Sequence, residues 1–280
     1  MSQVHWFPGH MNKALHEIED KIKMVDVIIE LLDARCPISS INPSLEKITS
    51  NKKKLVVLTK PDLADPLKTK EYQAKLASMF NKLLVMDITS QSSKKALEMA
   101  INELGKDKWE KEKKKGMKPQ PIRAMILGIP NVGKSSLINR LASRKAAGVQ
   151  NKPGFTRGEQ WIRVNNNFFL LDTPGILPMN YEEQDTSIKL ALCGAIKEEI
   201  LPNEVLCEYL LNHLKTYYPN ALEQRFDIEK ISSLNEVLLS ICKRRCLLNG
   251  KGEPNLLQAQ RLLLKEFKDG ILGKISLDWC

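Results

Sequence analysis

No apolar run in the 280 residues approaches the roughly 20 needed to cross a bilayer, since Val25 to Leu32 is short and interrupted by Asp26 and Glu30. A secretory pattern is also missing from the first residues, so a cytoplasmic protein with no membrane partner is expected. The six cysteines, Cys36, Cys193, Cys207, Cys242, Cys246 and Cys280, lack C-x-x-C spacing, and His213 does not complete a metal set with them. Reduced thiols are the default reading. Acidic residues are scarce in the first part of the chain: residues 1–177 hold 30 Lys and Arg against 18 Asp and Glu, whereas residues 178–280 hold 13 against 15. Such a surplus suits a polyanion, most simply RNA, or equally a solvated lysine-rich surface.

The most informative stretch is Gly128-Ile129-Pro130-Asn131-Val132-Gly133-Lys134-Ser135, which follows the apolar run Ala124 to Leu127 and precedes a helical pattern over Ser136 to Ala142. It is a phosphate-binding loop. The glycines let successive backbone N–H groups converge on phosphate oxygens at the positive end of the next helix. Lys134 reaches the β- and γ-phosphates, Ser135 offers its hydroxyl to Mg²⁺, and Asn131, Val132, Gly133 and Ser136 complete the cradle.

Upstream, Val25 to Leu32 reads as a buried parallel strand running into Asp33-Ala34-Arg35-Cys36-Pro37. A second strand, Lys54 to Leu58, delivers Thr59-Lys60-Pro61-Asp62 at its carboxyl end. In a GTPase, this T-K-x-D position recognises guanine: the carboxylate accepts from N1–H and the 2-amino group, and the lysine stem lies along the base. Adenine lacks those donors, and a buried carboxylate left unpaired costs about 1 to 3 kcal/mol. Thr59 replaces the commoner Asn and keeps one hydroxyl for bridging to the phosphate loop. A helix over Glu71 to Phe80, a third strand over Lys82 to Ile88 and a helix over Lys94 to Leu104 follow, with Thr89-Ser90 as the small-residue loop beside guanine O6. Residues 105–121, with seven lysines, two prolines and Gly116, read as an exposed connector.

Downstream, Thr156 in Pro153-Gly154-Phe155-Thr156-Arg157 is the candidate switch threonine that joins the Mg²⁺ shell when γ-phosphate is present. Strands over Gln160 to Val164 and Asn167 to Leu171 lead to Asp172-Thr173-Pro174-Gly175, where Asp172 holds Mg²⁺ through water and the Gly175 N–H senses the γ-phosphate. From Glu182 onward the spacing is helical: Leu234, Val237, Leu238 and Ile241 share one face, and Leu256, Leu263 and Phe267 share another on a helix started by Pro254. Basic stripes (Lys243-Arg244-Arg245; Arg261, Lys265, Lys268) suit RNA backbone or an ordinary solvated face.

In the usual GTPase order the phosphate loop comes first; here Thr59 to Asp62 and Thr89-Ser90 precede it, so the domain is circularly permuted. This order, together with the W-F-P-G-H-M start, the D-A-R-x-P loop, N-V-G-K-S, P-G-x-T and D-T-P-G-I, resembles the ribosome biogenesis GTPase A (YlqF) family over nearly the whole chain. The resemblance implies a cytoplasmic GTPase that assists late maturation of the large ribosomal subunit and binds ribosomal RNA through both domains. It also implies use of K⁺, with Asn131 contacting the ion. Ile176 stands where Ras-like enzymes carry a water-orienting glutamine. Isoleucine cannot orient water, and the resemblance points instead to His10, on a terminal segment that Pro8 and Gly9 allow to swing; by itself this stretch favours reading His10 as a simple turn residue.

The expected architecture is an α/β GTPase domain over residues 1–178, a mostly parallel sheet with helices on both faces, then an all-helical RNA-binding domain over residues 179–280. The protein is expected to be monomeric when free and to partner the large-subunit precursor and its rRNA. The rivals are a GTP-dependent switch that recruits a protein, and a P-loop ATPase or kinase, which Asp62 opposes.

Overall fold

A computed structural model of the chain describes residues 8–88, 90–141, 161–177, 184–196, 200–228 and 233–279, the side chains of 8–12 and 91 excepted. Six strands form one sheet in the order β3-β2-β1-β4-β6-β5, comprising β1 (Val27–Asp33), β2 (Lys53–Thr59), β3 (Lys82–Val85), β4 (Ile122–Gly128), β5 (Trp161–Arg163) and β6 (Phe168–Leu171). All neighbours pair in parallel except β5, which runs antiparallel to β6. Asn165 makes that reversal, its side-chain oxygen accepting from the N–H groups of Asn167 and Phe168. Every residue of β1 is buried, as its continuous apolar run requires when both faces are covered.

One face packs Val27, Ile29, Leu31 and Ile126 against Leu97, Ile101 and Leu104 of α4 (Gln91–Lys114) and Leu137 of α5 (Lys134–Leu141). The other face packs Ile28, Met125 and Leu127 on Ile18 and Ile22 of α1 (Pro8–Ile22) and Leu45 of α2 (Pro43–Thr49). Farther along this second face, Leu32, Val56 and Leu58 meet Tyr72 and Leu76 of α3 (Pro66–Ala77). The three-layer expectation therefore holds. Because β1, β2, β4 and β6 are mutually parallel, the loops that follow them all open at one sheet edge.

Some expectations change. Helix α4 runs on to Lys114, so only the later part of the expected 105–121 connector is irregular. Gly105, read as a break, instead lets the helix pass close to β4: a Cβ there would come within 2.1 Å of the Ile122 Cδ1. The extension is held mainly by polar contacts, such as Lys108 Nζ to Asp26 (2.8 Å) and Trp109 Nε1 donating to the Gln120 carbonyl (2.9 Å), which leave little apolar periodicity to read. Secondly, α1 begins at Pro8, a residue suited to the first turn, so the backbone of His10 lies within the first turn of the helix.

Among the described residues, the remaining helices are α6 (Gln184–Leu192), α7 (Asn203–Tyr217), α8 (Ala221–Phe226), α9 (Leu234–Arg245) and α10 (Leu256–Lys268). Their apolar faces, including Val237, Leu238, Ile241, Leu263 and Phe267, join the same buried cluster as the α4 side of the sheet. Pro254 lies before α10, and Asn255 caps that helix by accepting from the Gln258 N–H.

Candidate functional site

The phosphate loop leaves the end of β4, between β1 and β6. Gly128 has φ +147°, and a Cβ there would lie 2.7 Å from the Leu31 carbonyl oxygen; Gly133 has φ +111°. These two positions need glycine. A cleft of about 690 Å³ opens above the loop, lined by Asn131, Lys134, Ser135 and Ser136 from one side and by Asp172 and Gly175 from the other. Ser135 and Asp172 are both exposed on it. Lys134 is buried and donates to the carbonyls of Gly128 (3.0 Å) and Ile129 (2.7 Å). Burial lowers its pKa to about 8, against the opposing pull of Asp172.

Gly175 comes so close to the loop that a Cβ would meet the Pro130 Cα at 2.8 Å. The next side chain points elsewhere: Ile176 is 1% exposed and packs in the cluster of Ile18, Ile22, Met125 and Leu127, on the α1 side of the sheet. Its position excludes water contact, in accord with its chemistry.

The T-K-x-D element lies beside the phosphate loop. Thr59 Oγ1 donates to the Val132 carbonyl at 2.8 Å and lies 3.2 Å from the Leu32 carbonyl, so the expected bridge from this hydroxyl is made. Lys60 takes φ +54° and places its ammonium 2.9 Å from Asp33, while Asp62 is exposed. Ser90 starts α4, and Ile88 of the same loop would lie 2.8 Å from a Cβ on Gly133. Thr89 and Thr156 lie outside the described residues, as does the His10 side chain.

Reading the D-A-R-x-P loop only as a loop missed a buried centre. Arg35, 2% exposed, grips the Asp33 carboxylate through Nε (3.0 Å) and a terminal nitrogen (2.8 Å) and also donates to the Cys193 (3.0 Å) and Lys268 (3.3 Å) carbonyls. Those carbonyls stand at the C-terminal ends of α6 and α10, where a cation is favoured. Burial pushes the Asp33 carboxyl up, but Arg35 and Lys60 outweigh it and hold it at about 2. Asp33, Cys36 and Cys193 bring ligand atoms within 4.8 Å of one another. The two cations already on Asp33 oppose a metal there. Beside this centre, Asn131 Nδ2 donates to the Gly194 carbonyl at 2.8 Å, so the phosphate loop also touches the helical part. In the basic stripes, Arg244 pairs with Asp227 and Arg245 with Glu266, while Lys243, Arg261 and Lys265 are exposed.

A permuted sheet with a phosphate loop and the D-T-P-G element facing each other across a cleft, and T-K-x-D alongside, defines a circularly permuted P-loop GTPase. Residues 123–239 match the family model described as 50S ribosome-binding GTPase. The chain is 40% identical over 276 residues to ribosome biogenesis GTPase A of Bacillus cereus, covering 98% of this chain and 93% of that protein. It is 33% identical to mitochondrial ribosome-associated GTPase 1 of Mus musculus, over 98% of this chain and 89% of the relative. The solved GNP-bound structure of YlqF from T. maritima superposes with a TM-score of 0.67 at 26% identity, covering 95% of this chain and 97% of that one. The chain belongs to the ribosome biogenesis GTPase A family.

Proposed function

We propose that this GTP hydrolase of ribosome assembly acts on the late large-subunit precursor in the cytoplasm, holding ribosomal RNA with both its GTPase and helical domains and leaving on hydrolysis. The observation that carries this reading is the contact of the phosphate loop with the helical part, Asn131 Nδ2 to the Gly194 carbonyl, beside a buried cluster that the sheet and the helices share. A change at the nucleotide therefore has a physical route to the helices. The basic surplus of residues 1–177 and the exposed Lys243, Arg261 and Lys265 support an RNA partner.

Within the site, Lys134 and the N–H groups of Val132, Gly133 and Ser136 neutralise the phosphates. Asp62 reads guanine, with Thr59, Lys60, Thr89 and Ser90 shaping that end of the pocket. The Ser135 hydroxyl and the Asp172 carboxylate, exposed on one cleft, are the hard oxygen donors that suit Mg²⁺, with Thr156 as a further ligand and Gly175 facing the γ-phosphate. The ion supplies charge neutralisation across the phosphates. The Asn131 amide nitrogen is engaged by Gly194, which leaves its oxygen for K⁺. With Ile176 in the core, His10 is assigned to orient the attacking water, brought over the cleft by α1 when the particle docks.

The test is a sucrose gradient of cell lysate with a non-hydrolysable GTP analogue. The protein is expected to travel with large-subunit precursors and to leave them steeply as salt rises. Migration away from ribosomal particles at low salt would instead support a switch that recruits a protein. His10→Ala is expected to bind GTP and particles and to lose particle-stimulated turnover; full stimulation would reduce His10 to a packing residue.

A further inference from the structure

After α10 the chain turns back as an extended segment, residues 275–279, threaded between the loops that follow β1 and β2. Its N–H groups alternate in direction, as an extended backbone dictates. Ile275 donates to the Leu63 carbonyl (3.2 Å) and Leu277 to the Arg35 carbonyl (2.6 Å), both toward the sheet edge, whereas Ser276 donates away from it to the Tyr218 hydroxyl (3.1 Å). Side chains add to the grip. Ser276 Oγ accepts from the Asp65 N–H at 3.1 Å, and the Tyr218 hydroxyl donates to the Asp65 carboxylate at 3.1 Å. Asp65 is the cap of α3, its other oxygen accepting from the Leu67 and Lys68 N–H groups, so the far end of the Thr59-to-Asp65 loop is fixed from two sides.

On the β1 side, Asp278, 4% exposed, accepts from the Ile38 N–H (2.7 Å), the Ser39 N–H (3.0 Å) and the Ser39 hydroxyl (2.6 Å). The near end of the base loop is fixed separately, by Thr59 on Val132 and by Lys60 on Asp33. Between these anchors stands Asp62, exposed and one residue from Leu63, whose carbonyl the segment holds.

We propose that residues 275–278 form a strap that positions the guanine-reading loop, so that base selectivity in the GTPase domain depends on a stretch more than 200 residues away in the helical part. Ser276, Asp278 and Tyr218 are positioning residues in this scheme and do not touch nucleotide. The strap sets where the Asp62 carboxylate stands when it accepts from N1–H and the 2-amino group together. A slack loop weakens the second bond first, because two donors on a rigid base demand a fixed acceptor. Linkage makes the effect reciprocal: guanine nucleotide tightens the strap as much as the strap favours guanine nucleotide. This inference rests on the assignment of guanine recognition to Asp62.

Dissociation constants for GDP, IDP and ADP separate the possibilities in the full-length protein. Inosine lacks the 2-amino group, so the GDP-to-IDP ratio reports on Asp62 placement. In Ser276→Ala and in Tyr218→Phe the GDP constant is expected to rise about fivefold, the loss of one ordinary hydrogen bond, with IDP much less affected and turnover at saturating GTP unchanged. A lowered melting temperature with an unaltered GDP-to-IDP ratio makes the segment mere packing and overturns the proposal. Absence of GDP-over-ADP preference in the unsubstituted protein would instead remove the Asp62 assignment itself. Hydrogen exchange on the unsubstituted protein needs no variant to fold: GDP is expected to slow exchange at the Ile275 and Leu277 amides, and unchanged exchange there overturns the strap.

Discussion

Replacing Lys134 by methionine is expected to stabilise the nucleotide-free protein while abolishing its reason to exist as a GTPase. Burial lowers the Lys134 pKa from 10.5 to about 8. At roughly 1.4 kcal/mol per pH unit, that is about 3 kcal/mol against the ammonium at neutral pH. Methionine fills similar volume without charge, and the Gly128 and Ile129 carbonyls lose their donor at about 1 kcal/mol each at most. The balance is a gain of about 1 to 3 kcal/mol, several degrees of melting temperature at roughly 2 to 4 °C per kcal/mol. The pH dependence has a fixed sign. Because the folded-state pKa lies below the unfolded one, the penalty is complete below about pH 8 and fades as pH climbs from about 8 to 10.5, so the unsubstituted protein should approach the variant across that window. Nucleotide closes or reverses that gap: GDP at a hundred times its dissociation constant adds about 2.7 kcal/mol to the unsubstituted protein and much less to the variant, which binds it more weakly. Calorimetric melting with and without GDP at pH 7 and 9.5 reads all of this. A nucleotide-free Lys134→Met protein that melts at or below the unsubstituted temperature at pH 7 refutes the reasoning.

Asp62→Asn should lose GTP affinity and gain xanthosine triphosphate binding, because the amide donates to the xanthine oxygen but cannot accept from both guanine donors; competition binding checks it, and an unchanged preference for GTP over ATP defeats it. Gly175→Ala should weaken GTP at least about tenfold, since the new methyl meets Pro130 backbone at 2.8 Å and the phosphate loop must shift; calorimetric titration with normal affinity counts against this. Arg35→Met leaves the buried Asp33 carboxylate with Lys60 as its remaining cation and should cost about 3 kcal/mol in denaturant unfolding, with Asp33→Asn added to it recovering part. Turnover should be faster in K⁺ than in Na⁺, and Asn131→Ala should erase the difference; equal rates in both salts would remove the ion from this site.

How much was legible from sequence follows from how local each signal is. The phosphate loop, T-K-x-D and D-T-P-G are short and carry their chemistry in consecutive residues, so their positions at the ends of β4, β2 and β6 could be assigned before any fold was known. The strands were legible because buried parallel strands are continuous apolar runs, though β3 stops at Val85 where the apolar run suggested Ile88. Helix α4 was cut short for the opposite reason. Its last turns are held by Lys108 on Asp26 and by Trp109 and Glu112 on Gln120, and lysine-rich composition resembles that of a solvated linker.

What sequence could not give is pairing across distance. Arg35 meets the carbonyl of Lys268, Asn131 that of Gly194, and Ile38 the carboxylate of Asp278, each through a backbone group that leaves no residue-type signature on at least one partner. Only Arg35 offered a hint, since a charged residue directly after a buried strand must find partners once the sheet edge is covered. Those contacts bear on mechanism. In a permuted GTPase the chain leaves the γ-phosphate side at Gly175 and enters the helices soon afterward, which by itself suggests one mechanical link. The structure adds three more: the phosphate loop through Asn131, the near end of the T-K-x-D loop through Lys60, Asp33 and Arg35, and its far end through Leu63 and Asp65 to residues 275–276. Asn131 and Arg35 end on neighbouring carbonyls, Gly194 and Cys193, just past α6, so signals from phosphate and base converge on one corner of the helical part. On the proposed roles of Asp62 and Gly175, a helical part held at that corner would sense whether a guanine nucleotide is present as a whole, whereas one tied only through Gly175 would sense the γ-phosphate alone.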